Sequence, residues 1–105
     1  MGRRALGEFE QLVVLAILRI GEGAYAVPII EEIEGRTERD VSHAAVYVAL
    51  RRLERKGIVR SSLGAPTSER GGRAKRYYEV LPEAVPQLRE HRDALLSMWD
   101  GLEVG

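Results

Sequence analysis

The sequence contains no cysteine. Structural disulfides and thiolate metal sites are therefore excluded, and a reducing interior suits the chain. Long apolar runs are also missing: the longest, residues 12–18, is far too short to cross a bilayer. Arg3 and Arg4 are followed by acidic Glu8 and Glu10, without the apolar stretch and small-residue cleavage site of a secretion signal. The expected location is thus the cytoplasm, with no membrane partner. Histidine is scarce. His43 and His91 are far apart and, without cysteine, make no recognisable metal site. No nucleophile–base pair, phosphate-cradling loop or cofactor fingerprint occurs, and Gly71-Gly72 lacks the strand-to-helix context that would make it more than a turn. Neither an enzyme nor a bound cofactor or metal is expected. Repeats of solenoid length and low-complexity segments are absent as well.

What remains is a chain of 105 residues, 45% apolar and 30% charged, which fits one folded domain of ordinary composition. A domain of this size buries roughly two-thirds of the surface its unfolded chain exposes, enough for one modest core. The net charge is zero, but its distribution is uneven. Residues 1–40 carry five basic and eight acidic side chains, residues 41–80 nine and three, and residues 81–105 two and five. The balances are −3, +6 and −3. A basic middle third can present one positive face to nucleic acid, or can be only an uneven solvated surface; composition does not choose between them.

Periodicity then divides the chain. Phe9, Leu12, Val13, Ala16, Ile17 and Ile20 recur as one face of a helix. Val14, Leu15 and Leu18 make that helix apolar nearly all round, so more than one side needs a cover, and a second copy of the chain could supply it. Gly21 and Gly23 end it. A second helix is expected from near Val27, with Pro28 in its first turn, an apolar stripe of Ile29, Ile30 and Ile33, and a stop at Gly35. The third helix has Ser42 as N-cap, Val46, Ala49, Leu50 and Leu53 as its core face, and Gly57 just past its end. At 100° per residue, Ala44, Val48, Arg51 and Arg55 point the other way, with Tyr47 beside them. Two strands follow, residues 58–63 and about 74–80, joined by a turn-rich loop with basic residues at its far end: Arg70, Arg73, Lys75 and Arg76. Adjacent Tyr77 and Tyr78 must point to opposite faces of their strand, one to the core. A last helix is expected from about residue 82 to 102, and Pro86 allows its start to fall as late as Val85. Val85, Leu88, Arg92, Leu95, Trp99 and Leu102 space as a heptad seam with arginine in one place.

Three helices and then a hairpin with a basic tip is the order of a winged helix-turn-helix. The expected fold is mainly α with a small β-hairpin: a DNA-binding unit over residues 1–80 and a C-terminal dimerisation helix over 81–105, forming one structural unit. An α-helix fits the major groove, and its N-terminal residues reach base edges there. Small Ala44 allows close approach, and His43 is a candidate for a base or phosphate. The carboxyl half of the helix carries a cationic run, Arg51, Arg52, Arg55 and Lys56, which is either a solvated face or, in this architecture, a DNA-contacting one; Arg51 and Arg55 are better placed for phosphates than for bases. The wing cations Arg73 and Lys75 share one strand face and Arg76 takes the other, all suited to the backbone or neighbouring minor groove.

The segment Ser42-His-Ala-Ala-Val-Tyr-Val-Ala-Leu-Arg-Arg-Leu-Glu-Arg-Lys-Gly-Ile-Val59 resembles the recognition helix of PadR-family transcriptional regulators. Gly71-Gly-Arg-Ala-Lys-Arg-Tyr-Tyr78 resembles that family's wing, and Leu6-Gly-Glu-Phe-Glu-Gln-Leu-Val13 with Tyr25-Ala-Val-Pro-Ile-Ile30 its first two helices. The opening segment is similar to a short-tailed, acidobacterial-type subgroup. Val48 and Leu81 depart from the family pattern, standing where many members have proline and threonine. The resemblance implies a homodimeric repressor of transcription whose C-terminal helix pairs with the partner's N-terminal region, with a small-molecule effector sensed near that interface. It also implies DNA-contacting or site-shaping roles for Ser42, Tyr47, Arg51, Arg73, Lys75 and Tyr77. The expected dimer interface comprises Leu12, Leu15, Leu88, Leu95, Trp99 and Leu102, and the expected partner is double-stranded DNA carrying a pseudo-palindromic operator. A second reading, from another class, is a winged helix used only for protein–protein contact; such a module has no need of the basic wing and the arginines of the third helix.

Overall fold

Local sequence signals set most of the architecture seen in the computed structural model, which describes residues 5–64 and 74–103. The elements run α1 (Glu8–Ile20), α2 (Ala26–Arg36), α3 (His43–Arg55), β1 (Val59–Leu63), β2 (Arg76–Val80), a single 3-10 turn (Pro82–Ala84) and α4 (Val85–Trp99). This is the mainly helical arrangement with one small hairpin that the periodicity predicts.

The apolar stripe of α1 places Val13, Ala16 and Ile17 in the core, and the buried sector extends to Val14, which is fully enclosed. Leu15 and Leu18 stay exposed. Helix α2 does not stop at Gly35. It runs one residue further and is closed by Thr37, whose N–H and hydroxyl both donate to the Ile33 carbonyl, at 2.9 and 2.8 Å. One glycine costs a helix about 1 kcal/mol relative to alanine, less than the buried isoleucines of α2 gain.

Both ends of α3 follow their sequence signals. The Ser42 hydroxyl accepts from the Ala45 N–H at 3.1 Å. At the other end Gly57 has φ +76°, its N–H reaches the Glu54 carbonyl, and the Ile58 N–H reaches that of Leu53. This crossed pair of bonds is a Schellman closure, which needs a left-handed residue at Gly57. Ile58 is consumed in that turn, so β1 begins at Val59 rather than at residue 58. It pairs antiparallel with β2 from Val59↔Val80 to Leu63↔Arg76. β2 begins at Arg76 rather than at residue 74. On its other edge the Tyr78 N–H donates to the Ala24 carbonyl at 2.8 Å, which ties the α1–α2 connection to the hairpin.

Val13, Val14, Ile29, Val46, Leu50, Leu53 and Val59 form the centre of the core. Tyr78 is its aromatic member, while Tyr77, on the opposite face of β2, is half-buried. α4 begins at Val85, the later of the two starts that Pro86 allows, and ends at Trp99. Gly101 turns the chain with φ +83°, so Leu102 lies beyond the helix rather than on its last turn. Only the first part of α4 touches the core, through Leu88 and Ala84 in the turn before it; residues 92–99 are all exposed. The molecule is accordingly elongated, 55 × 36 × 21 Å.

Candidate nucleic-acid interface

The outer side of α3 and the hairpin beside it carry the residues that sequence reasoning selects. Ser42, His43, Ala44, Tyr47, Val48, Arg51 and Arg55 are all exposed. Ala44, Val48, Arg51 and Arg55 lie within about 30° of the direction opposite the core residues Val46, Ala49, Leu50 and Leu53, with Tyr47 about 70° and His43 about 110° round on one side, and Ser42 precedes the first turn. Ser42 caps the helix with its hydroxyl. The side chains of His43, Tyr47, Arg51 and Arg55 make no hydrogen bond to any described residue. The amino end of this face is small and uncharged, and its carboxyl end carries unneutralised positive charge.

The wing cations behave differently from one another. Arg73 and Arg70 lie outside the described residues. Arg76 Nη1 donates to Ser61 Oγ at 2.9 Å, and that hydroxyl donates to Glu54 of α3, also at 2.9 Å. Arg76 is thus tied toward α3. Lys75 turns the other way: its Nζ sits 5.2 Å from the centre of the Tyr25 ring. The Tyr77 ring meets the same Tyr25 edge-on at 5.8 Å. Burial, reinforced by the Glu54 charge, pushes the Tyr78 phenol above its ordinary value, so it stays neutral. Arg60 and Glu79 pair across the hairpin.

Two features escape sequence reasoning. Tyr25, just before α2, supports the hairpin base through Lys75 and Tyr77; nothing in local spacing marks a contact over 50 residues. Lys56, read as one of a cationic run, folds back on α1. Its Nζ donates to Glu10 Oε1 at 2.7 Å and to the Ala5 carbonyl at 2.8 Å. Glu10 is buried and also accepts from the Gly7 N–H at 2.9 Å. Its position three residues after the helix cap is the one local sign of that role. Burial drives the Glu10 carboxyl upward, but the Lys56 and Gly7 hydrogen bonds and the charges of Lys56 and Arg52 outweigh it, leaving the group below the usual carboxylate value.

The expected interface residues fall into two sets. Leu88 is buried in the chain's own core and Leu12 packs half-buried against it. Leu15, Leu95, Trp99 and Leu102 are 48%, 56%, 56% and 58% exposed, leaving a run of apolar side chains uncovered. Among the described residues, no cluster of His, Asp or Glu could hold a metal ion, and no helix is long and apolar enough to cross a membrane.

Comparison with known proteins adds an independent line. Residues 14–83, two thirds of the chain, match the family described as Transcriptional regulator PadR-like family. A PadR family transcription regulator from Clostridium difficile superposes with a TM-score of 0.69 at 21% identity, covering 90% of this chain and 100% of its own. One from Eggerthella lenta gives 0.69 at 24% identity over 90% and 81%. A PadR-like transcription factor from Bacteroides fragilis gives 0.72 at 21% identity over 86% and 82%. At these identities the structural likeness is one of fold. No curated protein matches the sequence at a significant level. The motifs of α3 and the hairpin, the arrangement of the elements and the family match over residues 14–83 agree: this chain belongs to the PadR-like family of transcriptional regulators, not to a family of enzymes.

Proposed function

We propose that the chain is a cytoplasmic, sequence-specific repressor that binds double-stranded DNA as a homodimer. Residues 1–80 form the DNA-binding part and residues 81–105 the dimerisation helix. The observation that carries this reading is the exposed face of α3. It is small and uncharged at its amino end, where His43, Ala44 and Tyr47 are uncommitted, and cationic with Arg51 and Arg55 toward its carboxyl end. A helix in the major groove reads bases with the first part and holds phosphates with the second. Arg76, directed toward α3 by its bond to Ser61, is the described wing cation best placed to add to this grip, and Lys75 acts as much through Tyr25 as through phosphate.

The test is selection of duplexes from a random pool, followed by binding measurements on the selected and scrambled sites. The selected site should be an inverted repeat with half-sites about one helical turn, or a multiple, apart. Ala44→Leu should weaken the selected site far more than the scrambled one, because a larger side chain blocks approach to the groove floor. A pool that yields no enriched sequence would refute the reading.

A further inference from the structure

The side of α3 that faces away from the hairpin is not plain surface. An open groove of about 1020 Å³ runs between it and the start of α1, lined by Gly7 and Phe9 on one wall and by Ala45, Val48, Arg52 and Arg55 on the other. We propose that this groove seats the sugar–phosphate backbone of one DNA strand, with Arg52 as its own phosphate-binding residue and Arg55, at the edge it shares with the exposed face of α3, beside it. The proposal rests on the DNA-binding reading above and adds a second gripping surface to it.

Charge is the first argument. The acidic groups at the groove are already neutralised: Glu8 pairs with Arg39 at 2.6 Å, and Glu10 with Lys56 at 2.7 Å. Arg52 and Arg55 are exposed and make no ion pair with any described residue. The groove therefore carries uncompensated positive charge. Its floor of alanine and valine side chains is low enough for a polyanion to lie close.

Shape is the second. The lining runs from Ala44 to Lys56, a rise of about 18 Å along a helix. That length spans several consecutive phosphates of one strand.

Position is the third. A helix lying in the major groove has a sugar–phosphate wall on each side of it. The hairpin guards one flank of α3, where Glu54 is joined to Ser61. Ala45 and Arg52 lie on the other flank, about 160° around the helix from Glu54 or more, where the start of α1 forms the opposite wall. α3 would then be held against both strands.

The experiment is a salt titration of binding by the full chain to its selected duplex and to a scrambled one. Arg52→Gln should flatten the dependence of log affinity on log salt by about 0.9 on both duplexes, and Arg52→Lys should restore it. Ala45→Glu places a carboxylate in the groove three residues after Ser42, where it completes a capping box and supports α3. It should weaken both duplexes about tenfold with no fall in melting temperature. If the melting temperature does fall, Arg52→Gln and its lysine rescue decide. Wild-type affinity and salt slope in both Arg52→Gln and Ala45→Glu would overturn the groove proposal and leave its occupant to be a small anion or a protein, while the function proposed above stands. Failure of the wild-type chain to bind any duplex would overturn both.

Discussion

At the scale of single residues, Lys56 changes meaning most between sequence and structure. Its ammonium group bridges Glu10 and the Ala5 carbonyl, so it fastens the amino-terminal segment to the end of α3. Replacing it in Lys56→Met leaves a buried carboxylate with only the Gly7 N–H. Losing one partner of a fully buried pair costs about 3–5 kcal/mol. The Lys56 side chain is 21% exposed, so about 2 kcal/mol is expected, or a melting temperature lower on the order of 10 °C for a domain of this size. The effect depends on pH with a definite sign. Glu10 is held below its ordinary value in the folded chain, so the folded state binds fewer protons than the unfolded one near that value. The stabilisation is complete above about pH 4.3, the unfolded value, and is lost as the pH falls through the lower folded one. The gap between wild type and Lys56→Met in urea midpoint should therefore be wide at pH 7 and narrow at pH 3. An equal gap at both would show that the ion pair is not the cause.

At the scale of elements, the hairpin is aimed by its base. A Cβ on Gly64 would meet Tyr77 Cε2 at 2.5 Å, and the same Tyr77 ring abuts Tyr25. The Gly64 N–H donates to the Lys75 carbonyl at 2.8 Å, and Lys75 sets its ammonium over Tyr25. Glycine at this point thus lets the strand lie against the aromatic pair. An edge-on aromatic pair and an exposed cation–π contact are worth about 0.5–1.5 and 0.5–1 kcal/mol. Tyr25→Leu should lower stability by about 1–2 kcal/mol and weaken duplex binding, whereas Tyr25→Phe, which keeps the ring, should stay within about 0.5 kcal/mol of wild type. Chemical denaturation of both variants, beside their duplex affinities, checks this. Equal losses in the two would assign the role to the hydroxyl instead of the ring.

At the scale of the whole molecule, the exposed apolar side chains of α4 are the dominant fact. Leu95, Leu96, Met98 and Trp99 are all more than half exposed on a helix that leaves the core after Leu88. Exposed apolar side chains of this kind make α4 a candidate association site. A two-fold pairing that brings α4 against the partner's α1, where Leu15 and Leu18 are also uncovered, would bury both sets. Sedimentation at micromolar concentration should give a dimer for the wild type and a monomer for Leu95→Glu, with α-helical content retained. A monomeric wild type with full helical content would exclude the dimer and, with it, the two-fold operator.

The sequence by itself determined the features that rest on neighbours along the chain. The 3.6-residue spacing of Val46, Ala49, Leu50 and Leu53 predicts the buried side of α3, and hence its exposed face. Ser42 and Gly57 mark the ends because the cap bonds involve residues within a few positions. Alternation separates Tyr77 from Tyr78, although only packing decides that Tyr78 is the buried one. What tertiary structure alone decided lies between distant segments. An apolar pattern nearly all round α1 does not say which sector is covered; contact with α2, α3 and β2 encloses Val14 and leaves Leu15 and Leu18 outside. Arg51, Arg52, Arg55 and Lys56 read alike as cations along the chain, yet Arg52 lines a groove while Lys56 is drawn into a salt bridge with a residue 46 positions away. Helix α2 continues past Gly35 because its isoleucines are packed, and α4 stops short of Leu102 where Gly101 turns. Spacing records forces that act within one or two turns; which charge meets which partner depends on how whole elements pack, and that pairing is set only when the core closes.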